Sequence, residues 1–254
     1  MESVKVETQE LIHKIQHCQL CRLHKTRKYA VPPEGDPHAD IMFIAQAPGR
    51  EENERGSMFV GPSGKVLNRL LEQIHLRRNA VYMTNMLKCF LPRCRKPRQD
   101  EIDACDVYLE QEINLVNPRI LVPLGYHPIK HLFRKFNLDT PNRNGFPLLF
   151  GKLRPTANYK ILPLRHPAAV VHESASFEKL ASNYHKIRVI SNTCRWYKVC
   201  PVKRFYDQGK IPKNWIDHYC KGDWEKCRRF QLEEQNIYHP DQMMPDGSID
   251  HNLD

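Results

Sequence analysis

No stretch of this 254-residue sequence approaches the roughly 18 consecutive apolar residues of a membrane-spanning helix, so the chain is not expected to cross a membrane. No apolar segment follows the polar opening Met1-Glu2-Ser3-Val4-Lys5, so no secretory leader is expected. The expected location is therefore intracellular: the cytoplasm, in company with the nucleoid. No segment repeats, and none is of low complexity. Tryptophan is scarce, and all three copies (Trp196, Trp215, Trp224) lie after residue 193. Acidic residues are in deficit, with 29 Asp and Glu against 39 Lys and Arg, for a net charge of +10. That imbalance suits a polyanionic partner, nucleic acid before membrane.

What is present narrows the reading further. The length allows one α/β domain of ordinary size plus a small appendage, and 41% hydrophobic residues suffice for a packed core. Residues 194–254 hold 10 Lys and Arg against 10 Asp and Glu, so the first 193 carry the whole excess, 29 against 19. Nucleic-acid binding is expected there. Nine cysteines are many for a reducing compartment, where clustered thiols read as ligands of a metal or cluster before they read as disulfides.

Residues 7–17 have the spacing of an amphipathic helix, with Leu11, Ile12 and Ile15 on one side. Residues 40–45, 80–84, 119–124 and 160–164 are short apolar runs, each followed by turn residues, and read as buried strands. Helical spacing covers 64–76, 98–115 and 176–190. Strands alternating with helices imply a parallel four-stranded sheet covered on both faces. Ligands of such sheets bind beyond the carboxyl ends of the strands. Gln46 to Gly49, Asn85 and Arg165-His166-Pro167 follow those ends. The first domain is expected over residues 1–193 and a small Cys-rich module over 194–254.

Cys18 and Cys21 form a Cys-x-x-Cys pair, and Cys89 and Cys105 flank a loop and the start of a helix. Four thiolates, soft ligands, close a tetrahedral zinc site or an iron–sulfur cubane. Cys94, inside the loop, matches no ligand position. Arg93, Arg95, Lys96 and Arg98 crowd the same loop, where they would meet a phosphate backbone.

The run from Gln46-Ala-Pro-Gly49 through Met58-Phe-Val-Gly-Pro-Ser-Gly64 resembles, without a gap, the signature of family-4 uracil-DNA glycosylases, in which Gly-Glu-Ala-Pro-Gly precedes Gly-Arg-Pro-Phe-Val-Gly-x-Ala-Gly. Thr84-Asn-Met-Leu-Lys-Cys89 is similar to the family's Thr-Asn-x-x-Lys-Cys, and Arg165-His-Pro-Ala-Ala-Val-Val171 to its His-Pro loop. The match covers roughly residues 8–191. The resemblance implies a three-layer α/β/α sandwich, a [4Fe–4S] cluster on Cys18, Cys21, Cys89 and Cys105, and removal of uracil from DNA by base flipping and hydrolysis.

The residues suit those roles. A buried base must be swung out of the duplex before its glycosidic bond can be cut. Phe59 offers a ring for stacking, and Ala47 and Gly49 are expected to bind the substrate with it. The Asn85 amide can donate to uracil O4 and accept from N3–H, the reverse of what cytosine presents. His166 can donate to O2 and stabilise the leaving uracil anion. Arg165 is expected to touch phosphate, and Val170 to fill the gap left by the flipped base. The sequence departs from the family at Gln46, which stands where the family has Glu and cannot act as a general base. Gln46 is kept as a catalytic and substrate-binding residue, and Glu51 and Glu52 nearby are given no role.

The expected enzyme is a monofunctional, monomeric DNA glycosylase, since no motif places a lysine to attack the sugar. A covalent uracil-DNA binding relative would need a histidine in an added loop, and there is none between Asn85 and Cys105. A non-catalytic nucleic-acid-binding cluster protein, with Gln46 marking lost catalysis, is the other rival. In the tail, Cys194, Cys200, Cys220 and Cys227 fall within about 34 residues. They read as a second metal centre in place of a core, iron–sulfur or zinc; His218 and His239 are substitute ligands.

Overall fold

The computed structural model describes residues 2–191, 194, 196, 197 and 199–253. The chain divides into two compact units, Met1–Lys186 and Ile187–Asp254. The division falls inside the helix Phe177–Ser191 and not after it, as the sequence had led us to expect.

The larger unit is built on a six-stranded mixed sheet. Its strands are β1 (Glu34–Gly35), β2 (Ile41–Ala45), β3 (Tyr82–Asn85), β4 (Ile120–Pro123), β5 (Arg154–Pro155) and β6 (Lys160–Ile161), in the order β1-β3-β2-β4-β6-β5. The four expected strands are present and mutually parallel: β3, β2, β4 and β6. The expectation of a purely parallel, four-stranded sheet is corrected by two edge strands of two residues each, β1 antiparallel to β3 and β5 antiparallel to β6. Two residues are too few to show a period, so nothing in their sequence marks them as strands.

Every residue of β2, β3 and β4 is buried. That is why these segments read as unbroken apolar runs: a parallel sheet is covered on both faces and has no solvent side to alternate with. Helices Glu2–Gln16, Pro62–Gln73, Gln99–Val116 and Tyr126–Lys135 carry their apolar residues into this core. The first of them begins at Glu2, ahead of the expected residue 7. No described helix is long and apolar enough to cross a membrane.

The smaller unit is made of short helical pieces, Pro201–Asp207, Lys213–Trp215 continued by a π-turn Ile216–Cys220, Trp224–Lys226 and Arg228–Glu234. Val202, Phe205, Ile211, Ile216, Cys220, Met244 and Leu253 form its buried cluster.

Candidate active site and thiol cluster

The carboxyl ends of β2 and β3 and the segment after β6 meet at a pocket of about 200 Å³ whose walls include Ala47, Gly49, Glu52, Phe59, Asn85 and His166. Three separate motifs thus converge on one cavity, at the place where a parallel sheet binds its ligand.

Phe59 is held in an unusual way. Its backbone is left-handed, φ 49°, a conformation that costs about 1–3 kcal/mol for a residue with a side chain. The surroundings enforce it. A Cβ on Gly64 would stand 1.8 Å from the Phe59 carbonyl oxygen, so only glycine lets the helix Pro62–Gln73 begin there. Arg78 holds the preceding residue by donating to the Met58 carbonyl at 2.6 Å, while Glu34 accepts from the Met58 N–H at 2.7 Å and pairs with Arg78 at 3.2 Å. The result sets the Phe59 ring roughly parallel to the His166 ring, 6.0 Å between centroids.

His166 has a defined tautomer. The backbone N–H of Ala168 donates to Nδ1 at 3.1 Å, so in the neutral ring the proton sits on Nε2. Although part of the residue's surface stays open, protein packs densely about the ring. That desolvation, with a smaller contribution from His172, lowers its pKa from 6.5 to about 4. The ring is therefore neutral at physiological pH, with one N–H available to a ligand.

Asn85 is buried, and one of its amide hydrogens contacts the Met58 sulfur at 3.0 Å, a weak acceptor. The amide oxygen and the second N–H remain for a ligand. Beneath it lies a charged pair that sequence reading missed. Lys88 and Glu112 are 1% and 0% exposed and stand 2.7 Å apart. Lys88 Nζ also donates to Thr84 Oγ1 at 2.7 Å and to the Asn85 carbonyl at 2.8 Å. Burial pushes the Glu112 carboxyl up, and the Lys88 ammonium opposes that.

The pocket also holds a group the sequence did not single out. Glu52 lines it, its Oε1 fixed by the Gly61 N–H at 2.9 Å. Gln46 does not line it; its carbonyl accepts the Leu87 N–H at 3.0 Å, which ties the ends of β2 and β3 together. Val170 lies half-buried on the short helix Ala168–Val171, whose first residue reaches the pocket.

Cys18, Cys21, Cys89 and Cys105 pack into one cluster at the margin of the core, the latter two buried. Arg27 donates to the Cys89 sulfur at 3.1 Å and to the Cys18 carbonyl at 2.7 Å. Backbone N–H groups reach two more sulfurs, Leu20 to Cys18 at 3.5 Å and Lys88 to Cys105 at 3.3 Å. Burial raises the Cys21 and Cys89 thiols, and pushes Cys105 up to about 12. Among the described residues no three His, Cys, Asp or Glu side chains converge to hold a single metal ion.

Of the loop cations, Arg93, Lys96 and Arg98 are exposed. Arg95 instead forks onto buried Glu101, one of its two contacts being 2.9 Å, and so orders the loop. Arg165 lies over the Phe150 ring, 5.1 Å from its centroid, and donates to the Ser174 carbonyl at 3.3 Å.

Residues 32–188 match the family model of the uracil DNA glycosylase superfamily. The chain is similar to a type-4 uracil-DNA glycosylase of Saccharolobus solfataricus, 40% identical over 68% of this chain and 82% of that protein. It is likewise similar to those of Sulfurisphaera tokodaii, 36% identical over 78% and 90%, and of Archaeoglobus fulgidus, 35% identical over 70% and 90%.

Proposed function

Because this chain belongs to the uracil DNA glycosylase superfamily, alongside its type-4 enzymes, we propose that it excises uracil from DNA by hydrolysis and leaves an abasic site. The observation that carries this reading is the single pocket lined by Phe59, Asn85 and a His166 whose neutral tautomer is fixed.

A uracil swung into the pocket stacks on Phe59 and meets the Asn85 amide with its N3–H and O4 edge. As the bond from the sugar to N1 breaks, its electron pair leaves with the base and negative charge collects on O2. The Nε2–H of His166 stabilises that charge more than it stabilises neutral uracil, which is the condition for lowering the barrier. Glu52, the one carboxylate among the residues lining the pocket, keeps Oε2 for the attacking water and faces the positive charge on the sugar. The water oxygen joins the sugar, and its proton balances the released base. No lysine lines the pocket among the described residues, and Lys88 is committed to Glu112, so no amine is at hand for a covalent sugar intermediate. Cleavage of the strand is not part of this reading. Arg93, Lys96, Arg98 and Arg165 contact the DNA backbone, and Val170 enters the stack.

Cys18, Cys21, Cys89 and Cys105 suit a [4Fe–4S] cluster, because an Arg27 N–H and two backbone N–H groups already point at three of their sulfurs. When bound it would tie the segment after the first helix to the end of β3 and to the helix Gln99–Val116. Arg27 neutralises charge there, and Lys88 links the Cys105 sulfur to the carbonyl of Asn85.

The test is incubation of the protein with U·G, U·A and single-stranded uracil oligonucleotides, with free base and strand cleavage measured separately. Free uracil with an intact, alkali-labile strand is expected. A stable protein–DNA adduct, or binding without release, would reject the proposal.

A further inference from the structure

Four thiols of the unit Ile187–Asp254 face one another. Cys194, Cys200, Cys220 and Cys227 all line a cavity of about 60 Å³. They arrive from four places: Cys194 itself, the residues that precede Pro201–Asp207 and Arg228–Glu234, and the end of the π-turn. Three are buried and Cys200 is partly so. The Cys194 N–H donates to the Cys220 carbonyl at 2.8 Å, which fixes two of the positions relative to each other.

Two further residues of the same wall have buried polar atoms that make no hydrogen bond among the described residues. Arg229 is 3% exposed; Nη1 donates to the carbonyls of Pro240, Asp241 and Met243, but Nε–H is buried with no hydrogen-bond partner. The His239 side chain is 5% exposed, and neither ring nitrogen makes a hydrogen bond, although Nε2 lies 3.2 Å from a Glu233 carboxylate oxygen. Each such group costs about 1–3 kcal/mol when left unmatched. A cavity walled by four sulfurs, a buried guanidinium with a spare Nε–H and an imidazole fits a sulfur-ligated occupant.

We propose that Cys194, Cys200, Cys220 and Cys227 hold a second [4Fe–4S] cluster, with Arg229 and His239 against it. Four thiols lose their protons to solvent as four sulfur–iron bonds form. A lone zinc ion would draw the sulfurs to within about 3.8 Å of one another, given bonds of about 2.3 Å in a tetrahedron. Among the described residues no three such side chains are gathered to hold a single metal ion. A cubane gives each thiolate its own iron and spreads the four around a larger body. The net negative charge of such a cluster matches Arg229. This inference does not depend on uracil excision.

The test is iron, sulfide and zinc analysis of the full chain, purified without oxygen and reconstituted with ferrous iron and sulfide. About eight irons per chain are expected. Cys220→Ser and Cys227→Ser should each lower the count to about half, while exposed Cys94→Ser leaves it unchanged. Should the tail variants fail to fold, the double variant Cys18→Ser, Cys21→Ser supplies the answer from the other side, and about four irons must remain in it. Iron that disappears with Cys18 and Cys21 alone, or one zinc per chain bound through Cys220, would overturn the proposal.

Discussion

The two units hold themselves together differently. In Met1–Lys186 the interior is a sheet, with Phe43, Ile44, Leu121 and Val122 at 0% exposure and helices packed over them. The four thiols there attach to the edge of a core that already exists. In Ile187–Asp254 the helices are seven residues or fewer, the buried cluster has seven members, one of them Cys220, and much of the chain's end is organised by carbonyls gathered on Arg229. So small a core is marginal unaided. On the proposals above, sulfur chemistry is an addition to a scaffold in the large unit and replaces a scaffold in the small one. Charge divides in the same way, with the excess of cations in residues 1–193 and a balance in 194–254.

The sharpest way to break this comparison is to strip the metal. Chelation under reducing conditions should unfold Ile187–Asp254 completely, because in metal-built modules ligand binding supplies the folding energy. The strands β2, β3 and β4 should keep their protection. Hydrogen exchange read by mass spectrometry reports both at once, and equal loss or equal retention in the two units would remove the distinction.

Within the large unit the next effect belongs to the buried pair under the site. Lys88→Met leaves the Glu112 carboxyl enclosed and unpaired, and breaking such a pair typically costs about 3–5 kcal/mol. Denaturant titration measures it. Adding Glu112→Leu should recover much of the loss, and a single variant as stable as the parent would mean that the pair does not support the sheet.

His166→Ala should leave stability nearly unchanged and slow single-turnover excision about 100- to 1000-fold, the usual effect of losing one such donor. Its pH behaviour is distinctive. The folded pKa of about 4 lies below the ordinary 6.5, so between those values the folded chain binds fewer protons than the unfolded one. Stability from this residue therefore falls as pH drops through that window, and the penalty is absent above it. The ratio of parent to variant rates should stay level from about pH 8 to about pH 5 and shrink only towards pH 4, because the ring remains neutral. A midpoint near 6.5 would show that burial does not control the ring. The smallest effect is on selectivity: Asn85→Ala should narrow the preference for uracil over cytosine by about 1–3 kcal/mol, read from competing substrates, and an unchanged ratio would remove Asn85 from base reading.

The motifs that converge on the pocket were legible because each sits where a buried strand ends, and a fully buried strand advertises itself as an apolar run. Gln46 shows the limit. Its place in the motif marked it for the site, yet its backbone joins β2 to β3, and the pocket's carboxylate is Glu52, six positions along and one turn into a helix. Helix geometry, invisible in the run Glu51-Glu52-Asn53-Glu54, decides which of the acids faces inward. Arg95 and Glu101 make the same point: both look like surface charges, and the fold buries one and spends the other on it.

Sequence by itself determined the parallel core and the strand ends that carry Asn85 and His166, since burial on both faces constrains residue type directly. Tertiary structure alone decided the two edge strands, the left-handed backbone of Phe59 against Gly64, the proton on Nε2 of His166 and the Lys88–Glu112 pair. Each of these depends on atoms brought together from distant parts of the chain, and residue type constrains such meetings only after the fold has made them.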